Sequence, residues 1–331
     1  MQTQSSNGIL EEFRIEFLDC WQRLPNKGFF VTLLVAWLAL FQWLGNSTLG
    51  YVRTSSLLEW MYNAFTARGG VFGADEGYGV LVPFVVLGLF WLKRRELMAL
   101  DLKTWWPGLA LVGFGLFLHV LGYLVQQPRI SVVGLFSGLY GLTGLAWGRG
   151  WLRASFFPFF LFVFCIPLGS LAELVTFPLR LLVTRLVELV CHYLLFIDVI
   201  REGNILRDPT GHYQYEVAAA CSGIRSLVAT VGLAVVLAFF SFEKWWQRLA
   251  MLAAAFPLAV LGNLLRMLAI IIAAELGGQS AGNEVHEGGP LGIYSLLPYV
   301  PAFFGLLWLE RRLGRKPPAP GNPQPAEAGA A

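Results

Sequence analysis

Uninterrupted apolar runs, such as Leu109 to Val125 and Gly223 to Phe242, constrain this chain more than any other feature. A run of about 20 apolar residues, wound as a helix, crosses the roughly 30 Å of hydrocarbon in a bilayer. Inside hydrocarbon every backbone N–H and C=O needs an internal partner, so an apolar run of this length is read as a spanning helix. Composition agrees: 56% of the 331 residues are apolar and 14% charged, where about a quarter is usual for soluble domains. The first 27 residues are mostly polar and the first apolar run lacks a small-residue cleavage site, so no cleavable signal is expected.

The runs predict an all-α polytopic membrane protein with about eight spanning helices: 28–45, 77–92, 107–125, 130–147, 156–172, 222–242, 249–275 and 290–309. Residues 1–27 form a cytoplasmic amino-terminal segment, 28–313 the transmembrane domain, and 314–331 a disordered cytoplasmic tail rich in Pro, Ala and Gly. Trp91, Trp105, Trp106, Trp147, Trp245, Trp246 and Trp308 stand at run ends, where interfacial anchors belong. Lys and Arg set the orientation. Arg14, Arg23, Lys27, Lys93, Arg94, Arg95, Lys103, Arg149, Arg153, Lys244, Arg248, Arg311, Arg312, Arg315 and Lys316 all fall on one side, which is therefore cytoplasmic.

Glu173 to Ile200 is apolar and long enough to be a ninth span, which would invert everything after it. That arrangement would put Glu243–Arg248 and Glu310–Lys316 outside, against the charge bias. Arg180, Thr184, Glu188 and His192 also recur at a spacing of four, the mark of an amphipathic helix with one face on water, polar lipid or a protein cavity. The segment is placed on the outer surface or re-entrant. Asp198 to Val217 follows as a polar stretch whose flanks, Val199-Ile200, Ile205-Leu206 and Tyr213 to Val217, read as short strands joined at Gly203-Asn204 and Asp208-Pro209-Thr210-Gly211. It is expected to form a small extracytoplasmic hairpin before helix six.

That hairpin leads into Cys221, which precedes Ser222, a good N-cap, and the helix that opens at Gly223. The positive end of a helix dipole lowers a thiol pKa and favours the nucleophilic thiolate, and Arg225 adds a second positive charge. The plainer reading is a small residue packed at a helix start. Arg266 lies about nine residues, or roughly 14 Å, from the outer end of helix seven. A cation at that depth belongs in a protein interior or wet cavity, and Asn263 sits one turn earlier on the same face. His286 stands in the outer loop Gly282 to Pro290, where a neutral imidazole can serve as general base or pair with a thiolate; a loop His is also often an ordinary surface residue. The three approach one membrane face. Cys, His and a third stabilising group recur in acyl transfer, and an Arg can hold the oxyanion.

Other candidates carry less. His119 lies mid-helix with no charged partner, which suits packing or a helix–helix hydrogen bond. Cys165 sits among apolar neighbours, Cys20 is cytoplasmic, and Cys191 is not paired with either by spacing. His192 and His212 are reserve bases, and Asp75-Glu76 are read as solvated acids. No spacing suggests a metal site, and no cofactor is expected.

Val217-Ala218-Ala219-Ala220-Cys221-Ser222-Gly223-Ile224-Arg225-Ser226-Leu227, then Asn263-x-x-Arg266, then His286-x-x-Gly289, resembles the exosortase/archaeosortase family over about residues 77–310. The resemblance implies a cytoplasmic (inner) membrane transpeptidase or protease, working through a thioester on proteins with a C-terminal sorting signal. In the bacterial branch that signal is a Pro-Glu-Pro-type motif, a spanning helix and a basic tail. Cys221 would be the nucleophile, His286 the acid/base and Arg266 the stabiliser. The partners expected are the lipid bilayer and such membrane-anchored proteins, with no nucleic acid. The competing expectation is a non-enzymatic transporter or assembly factor for envelope polysaccharide, in which Arg266 binds an anionic group.

Overall fold

The computed structural model describes residues 4–45, 54–66, 76–169, 171–216 and 224–314. It is mostly helical and divides into two compact units, Met1–Gly169 and Ser170–Ala331. Among the described residues, three helices meet both the length and the apolarity of a membrane span: Pro128–Trp147, Trp245–Glu287 and Gly292–Leu313. The bent pair Glu11–Arg23 and Lys27–Trp43 adds a fourth if counted as one span. Tyr78–Leu92, Gly108–Leu124 and Ser226–Ser241 are apolar but shorter. The tail 315–331 lies outside the described residues.

In the first unit, α1 (Gln4–Arg23) meets α2 (Lys27–Trp43) at an angle of 96°. Asn26 makes the corner in the left-handed region, with φ 54°, a conformation Asn tolerates better than most residues. Its Nδ2 donates to Ala146 O at 3.1 Å and to Thr104 Oγ1 at 3.0 Å. Lys27 Nζ donates to Trp21 O and Gln22 O, which satisfies carbonyls that the end of α1 leaves open. After α3 (Leu57–Thr66), α4 (Tyr78–Leu92) and the short α5 (Arg94–Met98), helices α6 (Gly108–Leu124) and α7 (Pro128–Trp147) pair closely. Gly115 faces Gly134 and Gly138 so tightly that a Cβ on Gly115 would lie 2.7 Å from Gly134 O. Small residues let membrane helices approach to this distance. His119 is buried in that seam, its Nδ1 3.2 Å from Ser131 Oγ, as a helix–helix hydrogen bond requires.

The region expected as span 156–172 instead begins at Arg149: α8 (Arg149–Phe160) tightens into a 3₁₀ turn, Leu161–Cys165, and ends there. Pro158 and Pro167 cannot donate to the ladder, so a continuous helix across this stretch would be under-bonded. Glu76 corrects a second expectation. It is buried, not solvated, and accepts from Leu168 N at 2.9 Å and Gly169 N at 2.7 Å. Asp75 lies outside the described residues.

The second unit opens with α9 (Leu171–Val190), followed by a π turn, Cys191–Leu195. Most of the polar stripe faces protein: Arg180 and Thr184 are buried and Glu188 accepts from Arg201 Nε at 2.8 Å, while His192 is exposed. Leu174, Phe177, Leu182 and Leu189 are exposed on it instead, an inside-out amphipathicity suited to an apolar surround. Three antiparallel strands come next, β1 (Ile200–Glu202), β2 (Ile205–Arg207) and β3 (Gln214–Glu216), in the order β1-β2-β3. Gly203, with φ 65°, takes the first turn position between β1 and β2, where a two-residue hairpin turn needs glycine. Leu206 and Tyr215 pair across strands and turn inward. With Tyr213 they join Val183, Val187, Cys191, Met267, Ile270, Ile271 and Ala274 in one core. Helices α10 (Ile224–Ser241), α11 (Trp245–Glu287) and α12 (Tyr299–Leu313) build a second core around Ala234, Ala238, Met251, Ala255 and Leu306. A 3₁₀ turn, Pro290–Leu296, leads into α12, and the apolar helical stretch Gly292–Leu313 that they form begins close to the expected residue 290.

Candidate active site

Helix α11 has 43 residues, about 64 Å if straight at 1.5 Å per residue, twice what a bilayer core needs. It is not straight. Gly277 (φ −135°, ψ 15°) and Gly278 (φ 70°, ψ −172°) leave helical geometry, and Gly278 adopts a left-handed conformation that strains any other residue. The chain breaks there and winds again over Gln279 to Glu287. His286 thus lies on a short returning helical arm, not in the loop expected from its polar neighbours.

The break decides which residues meet. Along an unbroken helix Arg266 and His286 would stand about 30 Å apart. In the structure Arg266 Nη2 donates to the main-chain carbonyl of His286 at 3.1 Å. Among the described residues the buried Arg266 Nε has no hydrogen-bond partner. Asn263 is buried one turn before Arg266 on the same helix. The His286 imidazole is half-buried, and burial holds its pKa below the ordinary 6.5; the Arg266 cation adds to this and Glu287 opposes it. The ring is consequently neutral near pH 7, the form a general base requires.

Strand β3 is laced to the same arm. Tyr213 OH donates to Glu275 Oε2 at 3.1 Å just before the break. Gln214 N donates to Gln279 Oε1 at 2.8 Å, and Tyr215 OH to Gln279 O at 3.0 Å. The Tyr215 ring stacks on the His286 imidazole, with centroids 6.5 Å apart and planes 23° from parallel. Gly282 permits this contact: a Cβ there would lie 2.0 Å from Tyr215 OH. Tyr215 was not evident as a site residue because its alternation with Tyr213 reads as an ordinary strand face. Arg180 is another cation of this unit, and is buried; its Nη2 donates to Thr176 Oγ1 and its Nε has no partner among the described residues. Its depth inside an apolar segment was the available signal.

Cys221 and Ser222 lie outside the described residues, and of Arg225 only the backbone, in the first turn of α10, is described. Residues 217–223 join β3 to α10. Of the other thiols in this unit, Cys191 is fully buried and burial pushes it up to about 11, far from thiolate at neutral pH. His192 and His212 are solvent-facing, near Asp198 and Asp208 respectively.

These features define a multi-pass helical membrane protein that carries a partly buried Arg–His pair on a broken helix. The description "Transmembrane exosortase (Exosortase_EpsH)" belongs to a family whose profile matches residues 71–297. The chain belongs to that family, one of membrane cysteine peptidases and transpeptidases. The matched region takes in the sheet, residues 217–223, Arg266 and His286. No curated protein and no solved structure matches the chain.

Proposed function

We propose that this protein cleaves membrane-anchored proteins bearing a C-terminal sorting signal, at the outer face of the cytoplasmic membrane, through a thioester on Cys221. The signal expected is a short Pro-Glu-Pro-like motif, a spanning helix and a basic tail. Eight crossings, with α9 as a non-crossing outer segment, put the residues 217–223, the outer end of α11 and the His286 arm on that face.

The observation that carries this reading is the Arg266–His286 contact across the Gly277–Gly278 break. It joins a half-buried cation to the backbone of the proposed base and leaves the buried Arg266 Nε without a partner among the described residues. As the Cys221 sulfur attacks the scissile carbonyl carbon, neutral His286 takes the thiol proton, and the oxyanion that forms accepts from the Arg266 guanidinium. His286 as imidazolium then protonates the departing amine as the C–N bond breaks. The acyl group remains on sulfur as a thioester. Water or a second amine attacks it with neutral His286 removing the proton, and the thiolate leaves, giving hydrolysis or transfer. Ser222 and Arg225 favour the thiolate at the start of α10, and Asn263 supports Arg266. Since β3 is tied to the His286 arm and Cys221 follows Glu216 by five residues, the chain between them spans at most about 18 Å.

The test is co-expression of the full chain with a candidate substrate carrying the motif, helix and basic tail, scored by loss of the tail. Cys221→Ala should abolish cleavage, and Cys221→Ser should trap or slow it. Unchanged cleavage with Cys221→Ala would overturn the thioester reading and favour a transporter or assembly factor.

A further inference from the structure

The first unit contains two adjoining cavities outside the proposed active site. One, of about 430 Å³, is almost wholly apolar; Leu34, Val86, Leu139, Trp91, Trp147 and Trp151 are among the residues that line it. The other, of about 370 Å³, is charged, with Arg23, Arg94 and Arg95 facing Glu16 and Asp19. Cys20, Arg94 and Met98 line both, so the two cavities meet.

Their geometry has the shape of an amphiphile. Val86 lies eight residues before Arg94 along α4, and Leu139 eight before Trp147 along α7, so the apolar cavity runs about 12 Å from the Trp and Arg layer into the bundle. Tryptophans and a basic ring mark the headgroup level of a bilayer. Helix α1, bent 96° from α2, carries exposed Phe13, Ile15, Phe17, Leu18 and Trp21, the pattern of a helix lying in the interfacial plane. The charged cavity has one more cation than anion. Arg23 is paired with Asp19 at 2.9 Å, while Arg94 and Arg95 share the single carboxylate of Glu16. Arg94 also stacks over Trp91, its Cζ 4.2 Å from the ring. Two guanidinium groups on one carboxylate leave donors for a phosphate, which Arg binds bidentately.

We propose that this part of the first unit is a binding site for an anionic phospholipid, with its phosphate on Arg94 and Arg95 and one acyl chain in the apolar cavity. Glu16 occupies the arginines in the lipid-free protein and competes with the phosphate. The acyl chain extends past Val86 and Leu139, and the lipid fixes α1 at the membrane surface.

The test is native mass spectrometry of the full-length protein in phospholipid-free detergent, titrated with palmitoyl-oleoyl-phosphatidylglycerol or with the diacylglycerol of the same chains. Phosphatidylglycerol should be retained at least tenfold better than the diacylglycerol. Arg94→Gln with Arg95→Gln should weaken its retention about tenfold or more, at several-fold per surface cation removed. Leu139→Trp, which fills the apolar cavity and leaves every charge, should weaken it as well. Glu16→Gln should leave retention equal or raise it, because the competitor is gone. Equal retention of both lipids, or of phosphatidylglycerol by wild type and the arginine variant, would overturn the proposal. So would a loss with Glu16→Gln as large as with the arginine pair, which would reduce those residues to a strap for α1. Should Leu139→Trp fail to fold, the arginine and Glu16 variants still decide the matter.

Discussion

Arg266 reaches the main-chain carbonyl of His286 with an Nη2–O distance of 3.1 Å although twenty residues separate them in one helical element. The bond goes to the backbone, so the cation sets where the imidazole sits without consuming either ring nitrogen. It also keeps a positive charge beside a half-buried ring, which is one cause of that ring's depressed pKa. In the proposed mechanism a single guanidinium would therefore hold the arm, tune the base and offer its Nε to a developing anion.

Breaking the reversal should separate these roles from the rest of the fold. Gly278→Ala forces a Cβ into a left-handed conformation at φ 70°, a cost of about 1 kcal/mol. The substitution is expected to lower the melting temperature of the purified protein by only a few degrees. Substrate cleavage should fall at least tenfold, because Arg266 and His286 no longer share one position. Equal losses of cleavage and of folded protein would instead make Gly278 a purely structural residue.

The pH dependence follows from the sign of the His286 shift. Its folded pKa lies below 6.5, so the folded protein binds fewer protons than the unfolded chain as pH falls from 6.5 through the folded value. Stability contributed by neutral His286 is full above pH 6.5 and is lost below it. Arg266→Gln removes a charge that lowers the pKa, so the His286 titration should move up toward 6.5. Histidine-selective NMR on the full protein would read this directly; an unmoved or lower midpoint would contradict the arrangement.

On the proposed mechanism, Tyr215 would act as a positioning residue through its stack on His286 and its bond to Gln279 O. Tyr215→Phe keeps the ring and loses the hydrogen bond, worth about 1 kcal/mol. Tyr215→Ala loses both. Cleavage should decline modestly in the first and by at least tenfold in the second, with the His286 titration displaced only in the alanine variant. A purely structural Tyr215 would alter melting while leaving that titration in place.

Glu76 offers a prediction in the first unit that is independent of chemistry at Cys221. Its carboxylate accepts from two backbone N–H groups, at Leu168 and Gly169. Glu76→Ala would leave both donors unmet, at about 1–3 kcal/mol. Glu76→Gln keeps one acceptor oxygen and should cost less. Thermal melts in one detergent would rank wild type above Gln above Ala.

The sequence alone determined that this chain is a helical multi-pass membrane protein, since apolar run length and charge spacing are properties of neighbouring residues. It also marked Arg266, whose charge in an apolar run needs an explanation wherever the chain folds, and the family through blocks of residues that match in order. It predicted short strands between Val199 and Val217 from β-branched and aromatic residues bracketed by turn residues, and β1, β2 and β3 lie there. It misread His286 as a loop residue, because polar neighbours after two glycines look alike whether the helix stops or restarts. Only the tertiary structure decided that restart, which depends on two pairs of backbone torsions. It also decided that Glu76 caps backbone 92 residues away and that Tyr215 stacks on His286. Those contacts join positions remote in sequence, and no local pattern encodes which remote surfaces a packed core will bring together.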